Sequence, residues 1–202
     1  MPARQVPLTS PDALSTLLLS APDVGAALSS DDVVVTTDVN KAWNDSAHFA
    51  DVDCLAIAGA AQKSVYADSG STAVHGQVLR DPPTAPVWSH YAVQAVVLFA
   101  TPQAASDFFT ASQRSWAGCS NRQLTYARQL GPDQVWSVGL TSTDHDVLAV
   151  ARVQQAPQHW ACQRALAVQS NVAVDVEACS LDGPTSAAAT IARQIAQRLP
   201  AS

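Results

Sequence analysis

The residues whose type and spacing bear most directly on chemistry are four cysteines, Cys54, Cys119, Cys162 and Cys179. They form no CxxC pair, and His48, His75, His90, His145 and His159 have no close His or Cys partner at zinc-ligand spacing. The set reads as two disulfides rather than a metal site. In the stretch WACQRALAVQSNVAVDVEAC, Trp160 to Cys179, a two-residue turn at Ser170-Asn171 would set Cys162 opposite Cys179 and Arg164 opposite Glu177. Cys162 and Cys179 then fall on a non-hydrogen-bonded pair, where the Cα atoms approach to about 4.5 Å, within reach of a disulfide. Ser-Asn is a weaker turn than Asn-Gly, so a longer loop with a shifted register stays open. With that pair joined, Cys54 is left to Cys119. The chain-entropy contributions are about 3 kcal/mol for the short loop and about 4 for the long one, and both imply an oxidising compartment.

Catalytic signatures are missing: the sequence has no GxSxG elbow, HExxH, P-loop or GxGxxG. Glu177 is the sole glutamate, and no Asp stands in a recognisable pairing with His or Ser. No catalytic residue, metal ligand or cofactor is assigned. Candidates for a ligand site are fewer and softer. Gln77 and Gln94 lie in adjacent predicted strands among apolar neighbours, either lining a site or bonded to backbone as core amides. Trp88, Tyr91 and Trp136, near strand ends, could wall an apolar cleft with polar tips or belong to ordinary core. Arg164 and Glu177 read as a cross-strand ion pair if exposed, and as a ligand handle if their face is covered. The acids between Asp31 and Asp53 lack EF-hand spacing and read as a solvated loop.

These residues need elements to hold them. At 202 residues, 48% hydrophobic and 14% charged, the chain suits one globular domain, and no linker divides it. Ser10-Pro11-Asp12 and Ala21-Pro22-Asp23 start short helices, the second running to about Leu28. A strand at Val33 to Thr37 and an acidic loop follow, then a helical segment from Cys54 to Tyr66. Strands at Thr72 to Arg80 and Val87 to Phe99 flank a Pro-Pro loop, and the second, nearly continuous in apolar residues, is expected at the centre of its sheet. Thr101-Pro102 begins a helix that Gly118 stops just before Cys119, so the long disulfide would tie the start of one helix to the end of another. Strands at Leu124 to Leu130, Val135 to Thr141 and Val147 to Gln155 lead into the Trp160 hairpin, and short connections favour a meander. A helix from Pro184 to about Leu199 closes the core. The order predicts an α+β fold, an antiparallel sheet with helices mainly on one face.

Charge excludes one class of partner. Residues 1–70 carry nine Asp against Arg4, Lys41 and Lys63, while residues 71–202 balance eight acids against eight arginines. No basic patch emerges, so nucleic acid is not expected. The opening MPARQVPLTS has no apolar run or cleavage site, which is read as a start after a removed signal or anchor, with Met1 added at expression.

One set of features resembles a known family, the extracellular sensor domain of the mycobacterial serine/threonine kinase PknH, shared with mycobacterial cell-envelope lipoproteins. The matching residues are Tyr66-Ala67-Asp68-Ser69-Gly70, Gln77, Val93 to Val97, Ala105 to Phe109, Trp116-Ala117-Gly118-Cys119, Trp136, Trp160 to Leu166, Asn171-Val172 and Asp175 to Cys179. The resemblance covers Leu14 to Leu199, a single sensor domain after a tail at 1–13. It implies a twisted antiparallel sheet, the same sequential disulfides, a cleft for an unidentified small molecule or envelope lipid, and a place outside the cytoplasmic membrane. It also implies a membrane link only through an N-terminal anchor; the chain is then either an excised kinase ectodomain or a lipoprotein without its leader, and the lipoprotein is favoured because no juxtamembrane linker is seen. The alternatives are a module that binds another envelope protein and, behind it, a hydrolase.

Overall fold

The computed structural model describes residues 8–81, 88–157, 160–181 and 183–200. Within them one antiparallel sheet is built from β1 (Val34–Val39), β2 (Ser71–Asp81), β3 (His90–Phe99), β4 (Gln123–Tyr126), β5 (Gln134–Val138), β6 (Ser142–Asp144), β7 (Val147–Gln154), β8 (Ala161–Gln169) and β9 (Val172–Ser180). The spatial order is β1-β2-β3-β9-β8-β7-β5-β4, with β6 attached to β7. The helices are α1 (Leu14–Leu17), α2 (Ala21–Leu28), α3 (Leu55–Ala58), α4 (Lys63–Tyr66), α5 (Pro102–Gly118) and α6 (Ala187–Ala196). The expected Pro82-Pro83 loop, the strand start at Val87 and residues 1–7 of the expected tail lie outside the described residues.

Local signals account for much of this. Thr101 Oγ1 accepts from Ala104 N at 3.1 Å, capping α5 as its sequence predicts, and Ser20 caps α2. The β8–β9 hairpin turns at Ser170-Asn171 in the expected register, with Gln169 opposite Val172 and Cys162 opposite Cys179. Its weak turn is held from outside: the Asn171 amide accepts from Thr9 N at 3.0 Å and donates to Thr9 O and to Phe99 O. At the next hairpin, between β6 and β7, His145 and Asp146 both take positive φ, the backbone a two-residue turn requires. Both disulfides form as expected, Cys54 with Cys119 and Cys162 with Cys179.

The fold class and the central place of β3 agree with the sequence, but the helices do not gather on one face. On one face α1, α2 and α6 pack on Ala92, Val96, Val172, Val174, Val176, Ala178 and their neighbours. On the other, α3, α4 and α5 pack on Ala95, Val97, Phe99, Leu148, Leu166 and Ala173. The reason is the composition of the central strands: β9 is buried at every position, and β3 nearly so, so both faces need cover.

The segment from Cys54 to Tyr66 is not one helix. It breaks between Ala58 and Lys63, where Gly59 is extended and Ala61 takes φ +46°. Tertiary bonds outbid helical periodicity here: Ala61 N donates to Asp175 Oδ2 at 2.8 Å, and Trp43 bridges to Gln62. A Cβ on Gly59 would stand 2.8 Å from Gln62 Nε2.

Candidate functional site

The helix break makes one wall of a cleft of about 460 Å3, a size suited to a small ligand. Its floor is the sheet face that carries Tyr91 and Val93 from β3, Glu177 and Cys179 from β9, Cys162 from β8, Arg152 from β7 and Trp136 from β5. Ala58, Gly59, Ala60 and Gln62 come from the break, and Trp43, Asp45 and Phe49 from the loop after β1. Four of the five tryptophans, Trp43, Trp88, Trp136 and Trp160, line it.

Trp43 reaches the sheet because β2 has Gly76 beneath it. A Cβ at Gly76 would meet Trp43 Cη2 at 2.5 Å. Gly76→Ala is expected to lift Trp43 from the wall and cost about 1–3 kcal/mol, in the range of overpacked cores. A urea midpoint and the tryptophan emission spectrum would measure the two effects, and an unchanged spectrum would refute the displacement.

Two pairs of polar groups in the cleft bond to each other. Arg152 Nη2 and Glu177 Oε1 form a buried ion pair, and the Arg152 guanidinium lies 4.8 Å from the Trp136 ring centroid. The Arg152 Nε, also buried, has no hydrogen-bond partner among the described residues. Gln62 Nε2 donates to Asp45 Oδ2 at 2.7 Å while its Oε1 accepts from Asp45 N at 2.9 Å. Burial, then the nearby charges of Glu177 and Asp45, push the Tyr91 phenol well above its ordinary value, so it stays a neutral hydroxyl. Cys162, Glu177 and Cys179 bring potential metal-ligand atoms within 4.8 Å of one another, but both sulfurs are spent in a disulfide. At the rim Trp88 meets Tyr91 and Trp160 at 5.2 and 5.8 Å, tilted rather than stacked.

The family of PknH-like extracellular domains matches residues 9–198. The chain belongs to that family. The serine/threonine-protein kinase PknH of Mycobacterium bovis is 28% identical over 186 residues, which is 92% of this chain and 30% of the kinase. A Mycobacterium tuberculosis PknH is 29% identical over 166 residues, 82% of this chain and 26% of that protein. The chain thus spans less than a third of the curated relatives it matches. The crystal structure of the extracellular domain of PknH from Mycobacterium tuberculosis superposes with a TM-score of 0.89 at 28% identity, covering 96% of this chain and 98% of that one. As a PknH-like extracellular domain, the chain is extracytoplasmic, in agreement with its two disulfides.

Of the candidates drawn from the sequence of this PknH-like domain, Trp88, Tyr91, Trp136 and Glu177 meet in the cleft. Gln77 and Gln94 do not. Gln94 is buried on the opposite face, where its amide accepts from Leu19 N at 3.0 Å and donates to Leu19 O and to Gln77 Oε1, both at 2.9 Å. Gln77 in turn donates to Asp38 Oδ2. The two amides pin the chain between α1 and α2 to the sheet, the core-amide role.

Arg164 stands opposite Glu177 as the register requires, yet the two do not pair. Arg164 Nη2 reaches Asp175 Oδ1 at 2.6 Å and Ala56 O at 2.9 Å, and Nη1 donates to Val176 O. Asp175 Oδ2 also accepts from the Tyr66 hydroxyl at 2.9 Å. Glu177 goes to Arg152 because β7 places that arginine beside Cys162, directly across β8. Sequence reading passed over Arg152, Trp43, Asp45, Gln62, Tyr126 and Trp160 as lining residues. Arg152 alone carried a usable signal, a charge set inside the apolar run VLAVARVQ.

A second polar cluster bears on the hydrolase alternative. Asp81 Oδ2 accepts from Ser30 Oγ and faces His90 Nδ1 at 2.7 Å, so a carboxylate lies between serine and imidazole. A catalytic serine needs the imidazole next to it instead. Asp81 Oδ1 also accepts from His90 N at 2.6 Å, fastening the ends of β2 and β3. Partial desolvation opposes ionisation, but the bonds from Ser30 and His90 outweigh it and hold the Asp81 carboxyl below its ordinary value. Its ionised form therefore stabilises the fold at and above the unfolded value of about 3.9, and this is lost as pH falls through the lower folded value. Asp81→Asn should remove that part of the acid sensitivity, measured as the slope of stability between about pH 4 and pH 2. An unchanged slope would show that Asp81 is not responsible.

Proposed function

We propose that this PknH-like domain is a non-catalytic, ligand-binding sensor of the cell envelope, and that a small molecule or the head of an envelope lipid occupies the cleft. The observation that carries this reading is the cleft itself: four tryptophans and a buried Arg152–Glu177 pair converge on one concave site of about 460 Å3. Ion pairs used only for packing are often no better than apolar residues of the same size, so a buried pair exposed to a cavity suits recognition.

Native mass spectrometry of the protein purified from its own host tests it. The expected result is a retained small molecule that is released on denaturation and lost when Trp160 at the rim is replaced by alanine. A bare mass in the native preparation, with no thermal shift on adding back a host lipid extract, would count decisively against the cleft as a ligand site.

A second reading, an interaction module, rests on β1. Its outer edge is unpaired among the described residues, and five of its six positions are exposed, including Val34 and Val35. Such an edge can accept a strand from a partner. A partner bound there would protect the amides of Val34 to Asp38 from hydrogen exchange while leaving the cleft tryptophans unchanged.

A further inference from the structure

We propose that the cleft takes a neutral, hydroxylated ring, the pyranose unit of a glycan or of a glycolipid headgroup. This deepens the ligand-binding reading and rests on it. Three features of the site converge on that chemistry.

The first is the shape of its apolar surface. Trp88, Tyr91 and Trp160 meet at interplanar angles of 59° and 56°, so their rings form a corner with open faces instead of a closed stack. Aromatic faces are electron-rich and attract the weakly positive C–H groups on the flat side of a sugar ring. A flexible acyl chain has no use for such fixed planes.

The second is the mix of charges. Arg152 is paired with Glu177, while the Asp45 carboxylate accepts from the neutral Gln62 amide and keeps its charge. A ligand cation would meet Arg152, with Arg80 lying 5.3 Å from the Trp88 ring at the rim. A ligand anion would meet Glu177 and Asp45. A neutral ligand meets neither penalty.

The third is what the paired groups still offer. Arg152 and Glu177 side by side present a donor next to an acceptor, the complement of two adjacent hydroxyls, each of which both donates and accepts. The neutral Tyr91 hydroxyl adds a donor and acceptor on the same floor. A purely apolar ligand would cover these groups and leave them without partners.

The test uses saturation-transfer NMR and tryptophan quenching on the intact chain with small probes. These are methyl pyranosides of glucose, mannose and galactose, methoxycyclohexane as a ring without hydroxyls, choline as a cation and benzoate as an anion. The expected result is saturable binding of at least one pyranoside, with transfer concentrated on its ring C–H protons. That pyranoside should bind at least tenfold more tightly than methoxycyclohexane, choline or benzoate. Trp160→Ala, at the rim, should weaken it at least tenfold. Tyr91→Phe, which keeps the shape and removes the floor hydroxyl, should weaken it severalfold and leave methoxycyclohexane unaffected. Choline, benzoate or methoxycyclohexane binding as well as the best pyranoside overturns the sugar assignment while leaving a ligand cleft in place. Failure of every probe overturns the sugar assignment, and the native mass measurement then decides separately whether the cleft holds anything else. A glycolipid source is separated from a free glycan by repeating the best pyranoside as its octyl glycoside. Tighter binding of that form assigns the lipid-linked source, and equal binding the free glycan.

Discussion

Arg164→Met is expected to cost about 3–5 kcal/mol of stability, a large share of the roughly 5–15 kcal/mol that holds a native domain. Arg164 is 1% exposed and spends its guanidinium on Asp175 Oδ1, Ala56 O and Val176 O, with its plane 5.3 Å from the Trp116 ring. Removing it strands the Asp175 carboxylate in a site that is itself buried, with Tyr66 and Ala61 N as its remaining donors among the described residues. Adding Asp175→Asn removes the stranded charge, so the double variant should regain about 1–2 kcal/mol, because the penalty is an unpaired buried ion and not lost volume. Urea unfolding of the single and double variants, with their slopes compared, measures both numbers. A loss below about 1 kcal/mol in the single variant would show that water or repacking neutralises Asp175, and that this network is not what joins α3 and α4 to the sheet.

Replacing Cys54 and Cys119 together with serine is expected to cost about 4 kcal/mol, against about 3 kcal/mol for the Cys162 and Cys179 pair. The two bridges close loops of different length, their sequence separations being 65 and 17 residues. The longer one also does something the shorter does not. Cys54 precedes α3 and Cys119 ends α5, so this bond holds together the helical layer over the cleft face, whereas Cys162 and Cys179 are already neighbours in a hairpin ladder. The serine pair at 54 and 119 should therefore speed hydrogen exchange across α3 and the Ala58–Gln62 break, and the pair at 162 and 179 should not. Thermal melts of both variants, with exchange read by mass spectrometry, test the ranking. A larger loss from the hairpin pair would reverse it.

How far the sequence could be read differs by residue, for physical reasons. Helix starts were legible at Thr101-Pro102 and at Ala21-Pro22 because capping and proline geometry are local. The hairpin register was legible because strand alternation has a period of two, so one turn fixes every facing pair, Cys162 with Cys179 and Arg164 with Glu177 alike. The pairing of charges was not. Arg164 chose Asp175, one step along the same strand, because the helix break supplies Ala61 N and Tyr66 to the same carboxylate. Glu177 was left to Arg152, which comes from a third strand. Facing positions in a ladder fix backbones, while long side chains have several neighbours within reach, and burial on the covered face decides among them.

The sequence by itself determined the α+β class, the antiparallel order of the last strands, both disulfides and, through its resemblance, the PknH-like family. Each depends on local geometry or on residues that mark the chain directly. Only the tertiary structure decided that helices cover both faces, that the segment after Cys54 breaks at Gly59, and that Trp43, Gln62, Arg152 and Trp160 share one cleft with Trp88, Tyr91, Trp136 and Glu177. Those residues lie far apart in the chain, and their convergence depends on which strand sits beside which and which face is left for a loop to cover. No spacing along the sequence records that.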